Sequence, residues 1–170
     1  MAACAAVLPF SQNASALPLG VGDSHELGFL WPALPSGNQN KVTYVNHLIG
    51  MALGSIDIAN GQIYFRSNHA FGSLPTATWA LNGTGTTINL GAGGVYAYLF
   101  ANYGLSGAHV WYIGNLRGVI TIPAIAGFGR LAGWTLFGPR GVGVPDEGFT
   151  AMLLALAVCV LGMFRRFATG

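Results

Sequence analysis

Between Phe149 and Phe164 the chain carries neither a charge nor a proline. That stretch restricts the architecture more than any other. A helix packed on a soluble domain keeps polar residues on one face, and this run is apolar all round. A bilayer crossing takes about 20 apolar residues, with about 17 as the lower limit. The run alone falls just short of that. Gly148 on one side, and the aliphatic stems of Arg165 and Arg166 on the other, extend it by snorkelling. The predicted transmembrane helix therefore covers about 148–166. Pro145 stands where a helix begins but does not continue. Asp146 and Glu147 suit the positive end of a helix dipole. Arg165 and Arg166 form the membrane stop and tend to hold their end on the cytoplasmic side. The predicted topology is an outside-facing body, one span and a very short inside tail.

The order of these pieces is itself a signature. Val144-Pro145-Asp146-Glu147-Gly148 comes first, then the apolar run, then the arginine pair. This arrangement resembles the PEP-CTERM-type sorting signal, in its VPDSG-type variant. Val144, Pro145, Asp146 and Gly148 match the variant, and Glu147 stands where a small Ser, Gly or Thr is more usual. The resemblance covers roughly the last fifth of the chain. It implies recognition and processing by an exosortase, a membrane cysteine protease or transpeptidase of Gram-negative bacteria that make extracellular polysaccharide. The expected partners are thus the exosortase, the membrane and extracellular polysaccharide. The expected location is the cell envelope or surface, with membrane insertion before processing.

The other end fits export. Ala14-Ser15-Ala16 is a small-residue cleavage site, and Ala2 to Phe10 would serve as a shortened apolar core. The positive n-region is missing, so residues 1–16 read as a signal-peptide remnant truncated at its start. The two cysteines, Cys4 and Cys159, fall outside residues 17–140. A cysteine-free exported domain suits an oxidising compartment managed without disulfides. Charged residues make up only 7% of the chain, against about 25% in ordinary soluble domains. The net charge of +2, with no basic run before the terminal pair, excludes nucleic acid as an expected partner. The division is therefore a leader (1–16), an exported β domain (17–140) and a sorting signal (141–170).

The body is rich in glycine, aromatics and β-branched residues. Thr43-Tyr44-Val45 begins a predicted short strand, and Leu48 to Ile58 is ambiguous. Gly61 to Arg66 reads as turn then strand, and Ala77 to Leu81 as another strand. Asn82-Gly83-Thr84-Gly85 is a hairpin-turn signal, followed by alternation at Thr87 to Leu90. Val95 to Ala101, Ala108 to Ile113 and Arg117 to Ile122 read as a three-stranded antiparallel meander. Trp134 to Phe137 is the predicted last strand. No long amphipathic helix separates the strands, which argues against a parallel α/β fold. The expected class is all-β, a small antiparallel β-sandwich or jelly roll, followed by the transmembrane helix.

No catalytic residue, metal ligand or cofactor is read from this sequence. His25, His47, His69 and His109 lack the helical zinc pairing. The body carboxylates are Asp23, Glu26 and Asp57. Glycoside hydrolysis needs two flanking carboxyls, and nothing but their presence recommends Asp57 with Glu26. Asp23-Ser24-His25 holds triad residue types, but neighbours in sequence rarely meet in triad geometry. His109 and Trp111 alternate along a strand and should share a face. A glycan-stacking surface is one reading of that face, and a core-edge position is the other. Gly91-Ala92-Gly93-Gly94 precedes a strand and reads as a turn. The expected function is a non-enzymatic surface or matrix protein. The alternative is an envelope-anchored carbohydrate-binding or carbohydrate-active protein.

Overall fold

The computed structural model describes residues 15–32, 37–78 and 81–138. The leader up to Ala14, the sorting motif Val144, Pro145, Asp146 and Gly148, the predicted span and the Arg165–Arg166 stop lie outside the described residues. Among the described residues no helix is long and apolar enough to cross a membrane.

The chain is mostly β. Its strands are β1 Leu17–Pro18, β2 Glu26–Trp31, β3 Ile56–Ala59, β4 Gln62–Arg66, β5 Leu81–Gly83, β6 Thr87–Asn89, β7 Tyr98–Asn102, β8 Ala108–Tyr112, β9 Val119–Thr121, β10 Ile125–Ala126, β11 Gly129–Arg130 and β12 Gly133–Phe137. Among the described residues one helix, α1 Asn38–Gly50, follows β2, and a 3₁₀ turn, Gly104–Ser106, links β7 to β8. Seven strands form an antiparallel sheet in the order β3-β4-β2-β8-β7-β12-β5. A smaller sheet runs β1-β9-β6, with β1 parallel to β9, and β10 and β11 make a separate hairpin.

Strand alternation gives the large sheet two apolar faces. One face carries Leu30, Tyr64, Val110, Phe100 and Phe137, and α1 packs on it through Tyr44, Val45 and Leu48. The other carries Leu99, Trp111 and Leu136, covered by Leu19, Ile88 and Ile120 of the small sheet. Two indole donors fix how the small sheet lies. Trp111 Nε1 donates to Gly20 O at 3.0 Å, just after β1. Trp134 Nε1 donates to Gly85 O at 3.1 Å, just before β6. The β1 side thus sits over β8 and the β6 side over β12. The part of the same face formed by β2, β4 and β3 extends past the small sheet.

Several sequence expectations change here. Thr43-Tyr44-Val45 lies inside α1, not in a strand. The spacing of Tyr44, Val45 and Leu48 puts all three on one side of a helix, where the sheet buries them. β7 and β8 pair antiparallel as predicted, but the meander stops there. β9 crosses to the small sheet, and β12 takes the place beside β7. Asn82-Gly83 is not a hairpin turn. Both residues lie in β5, paired with β12. The tight turn is instead Asn60-Gly61 between β3 and β4, with positive φ at both residues (52° and 73°), as a two-residue hairpin loop requires.

Two buried tyrosines tie the layers to loops. Tyr98 donates to Pro75 O at 2.6 Å and Tyr103 to Pro123 O at 2.9 Å. Burial raises both phenols, Tyr103 to about 12, with the nearby Glu26 adding to the rise. Their stability contribution is complete below the ordinary value of 10.0 and is lost as pH rises through the folded values. We expect the free energy of unfolding to hold up to about pH 10 and then fall, by as much as about 1.4 kcal/mol per pH unit for each tyrosine, with the melting temperature following it. Melts between pH 8 and 11.5 check this, and Tyr103→Phe should flatten the slope.

Candidate functional site

Two places, on opposite faces of the large sheet, bring polar side chains together as candidate sites. The first is the start of β2, where a bulge shifts the register between Glu26 and Gly28. Glu26 is buried there with one oxygen 2.6 Å from His109 Nδ1, while its other oxygen accepts the Gly22 N–H. The His109 ring lies among Phe29, Tyr103 and Trp111, with centroids 5.6–5.8 Å away. His109 and Trp111 do share a face, as their spacing predicts. That face is interior: Trp111 is 0% exposed and His109 only 8%. The segment after β1 lies across β8 and accepts the indole N–H, so no plane is left open for a sugar. The pair is a packed joint between the layers.

The neighbouring tripeptide is a turn. Asp23 accepts the His25 N–H at 2.9 Å on one oxygen and the Gly20 N–H at 2.6 Å on the other. Both oxygens serve the backbone, and Asp23-Ser24-His25 has no triad geometry. Glu26 and Asp57 also stay apart. Glu26 points to the small-sheet face opposite Trp111, and Asp57 to the helix face opposite Tyr64. They cannot flank one glycosidic bond.

The second place is an open cleft of about 480 Å³ between the end of α1 and β3. Asn46, His47, Ser55 and Asp57 supply its polar lining. His47 Nε2 meets Asp57 Oδ2 at 2.8 Å, and the His47 ring packs on the Tyr64 ring at 4.2 Å. Asp57 Oδ1 accepts the Ile58 N–H at 2.8 Å. Ser55 Oγ donates to Ala52 O at 2.7 Å. Ser, His and Asp thus line one cleft, but the serine proton goes to a carbonyl and the imidazole nitrogen to the carboxylate. The cleft can offer hydrogen bonds to a small polar ligand. Sequence reasoning did not connect His47 with Asp57, because the link depends on residues 51–55 folding back from the helix.

Arg66 is the buried cation of the helix face. Nη1 donates to Leu27 O at 2.7 Å and Ser67 Oγ at 2.9 Å, and its Cζ lies 5.5 Å from the Phe71 ring centroid. Burial lowers its pKa from the usual guanidinium value. Among the described residues, no group of three or more His, Cys, Asp or Glu side chains is placed to hold a metal ion.

The most exposed apolar surface of the sheet is the part past the small sheet. Register aligns Ile56, Phe65 and Phe29 in one cross-strand row, and Ile58, Ile63 and Trp31 in the next. Ile58 is 74% exposed, Ile56 65% and Trp31 49%. Phe29 and Phe65 stack at 4.2 Å with planes 6° apart. No family model matches the chain, and no curated protein or solved structure matches it either.

Proposed function

We propose that this chain is a non-enzymatic surface or matrix protein, exported and sorted to the envelope of a Gram-negative bacterium through its C-terminal VPD-type signal. One observation carries the reading: Val144-Pro145-Asp146, a charge-free apolar run and Arg165-Arg166 follow one another without a gap. Pro145 fixes φ and lacks an N–H donor, which keeps the segment before the helix extended. A protease that reads an extended peptide through its backbone benefits from that shape. Asp146 belongs at the outer interface, because a carboxylate at the bilayer centre costs about 3 kcal/mol. The body is compatible with this route. Strand β1 begins at Leu17, directly after the Ala14-Ser15-Ala16 cleavage site. Removal of the leader there leaves β1 whole.

The expected result is that Pro145→Ala and Asp146→Ala each block removal of the tail while export and insertion continue. The mass of the mature protein, in cells with and without the exosortase, reads this directly. Unchanged tail removal in both variants, or in cells lacking the enzyme, would refute the sorting role. The alternative reading is an envelope-anchored carbohydrate-binding or carbohydrate-active protein. It draws on the His47–Asp57 cleft, where the Ser55 hydroxyl and the Asp57 carboxylate keep acceptor capacity for sugar hydroxyls.

A further inference from the structure

We propose that the bare part of the large sheet is a docking face for a second copy of this chain, packed face to face about a two-fold axis. The six residues of the array, Ile56, Phe65, Phe29, Ile58, Ile63 and Trp31, include no charge and no hydrogen-bonding group except the Trp31 indole. A sugar would find aromatic planes there but almost no polar partner to orient its hydroxyls. An equally apolar sheet face meets the chemistry, and this chain carries one.

The shape also fits. The small sheet is three strands wide and lies over the β8-to-β12 part of the face. Among the described residues the uncovered part takes in β3, β4 and the Phe29–Trp31 end of β2, while Glu26 at the other end of β2 is buried and bonded to Gly22. The molecule is therefore stepped, with a step one sheet layer high. A second copy, turned about a two-fold axis, places its own uncovered strands into that step. Each β3 edge then comes to lie beside the other copy's β1 edge. Interfaces of this kind are self-complementary by symmetry, and packed sheets lie about 10 Å apart.

The edge of the sheet argues for the face rather than for strand addition. β3 is the outermost strand, and an open edge invites pairing with another chain. Asp57 occupies the Ile58 N–H, and His47 holds Asp57 in place. The edge is thus partly capped while the face stays bare. Area decides whether such a contact is large enough to be specific. Six large side chains on each copy, partly exposed, bury on the order of 1,000 Å² over the pair, the lower bound for a specific interface. The dimer is expected to be reversible.

The test is sedimentation equilibrium of the full chain in detergent. The wild type should dimerise reversibly, Ile58→Val should match it, and Ile58→Lys should weaken association at least about tenfold. Ile56→Lys is the second variant, and an unchanged far-UV spectrum and melting temperature show that each variant folds. A wild type that stays monomeric up to the highest concentration overturns the proposal. So does a dimer that persists in both lysine variants, which would be held by another part of the chain. A monomer that instead binds bacterial exopolysaccharide, with binding lost in Trp31→Ala, gives the face to glycan and overturns the dimer.

Discussion

Trp111→Ala is expected to lower the free energy of unfolding by about 3–5 kcal/mol, which is the range for deleting a large buried aromatic. Trp111 is 0% exposed and sits between the two sheets, among Leu99, Leu136 and the residues of the small sheet. His109, its neighbour on the same strand face, is held by Glu26 and is not free to fill the volume. The substitution removes packing and also strands the Gly20 carbonyl. Trp111→Phe separates the two effects. It keeps most of the ring, loses the 3.0 Å hydrogen bond, and should cost about 1–2 kcal/mol. Urea unfolding followed by circular dichroism measures both. Equal losses in the two variants would show that the hydrogen bond, not the packing, holds the layers.

Gly107→Ala is expected to be as damaging by a different route. Gly107 ends the 3₁₀ turn with φ 87° and ψ −147°, a region that side chains essentially never enter. The strain alone is worth about 1–3 kcal/mol. A Cβ there would lie 1.9 Å from Leu30 O and 3.3 Å from the Trp31 Cα. Both contacts are backbone, so β2 must move away from β8, where Leu30 faces Ala108. A total loss above about 3 kcal/mol follows, with poor recovery of soluble folded body. Gly72→Ala is the control, since nothing lies within 4 Å of its Cβ position and its φ is not positive. It should be neutral within about 0.5 kcal/mol. If Gly107→Ala melted like the control, the close approach of β2 to the turn would be wrong.

The sequence was informative where a local rule decides the structure. β7 and β8 were legible because both are dense in aromatic and β-branched residues and a glycine-bearing loop joins them. Strand β4 was legible from Gly61 and the alternation after it. The helix α1 was not, because Val42, Thr43 and Val45 favour strands locally, and its polar first turn has no capping side chain. What makes it a helix is the sheet beneath Tyr44, Val45 and Leu48. The two Asn-Gly pairs make the same point. Asn60-Gly61 turns a hairpin, while Gly83 lies flat in β5 under the Trp134 ring, where a Cβ would meet ring carbons at 2.2 Å. Their local sequences do not tell them apart; the partner strand does. For the same reason β9 was recognisable as a strand but not as a member of the other sheet. The Glu26–His109 contact was out of reach as well, since it joins residues far apart in sequence.

The pairing of β1 with β9 bears on timing. Leu17 lies opposite Ile120, so the first strand to be made waits about a hundred residues for its partner. At synthesis rates of about 5–20 residues per second, that wait is roughly 5–20 s. The β3–β4 hairpin needs only near neighbours and can assemble during it. The layer over Trp111 closes late, because pairing over such a span is slow. Until then Trp111 and the apolar residues around it lack their cover. The interval before β9 emerges is when this protein is most exposed to aggregation, and when a holding chaperone would have most to bind.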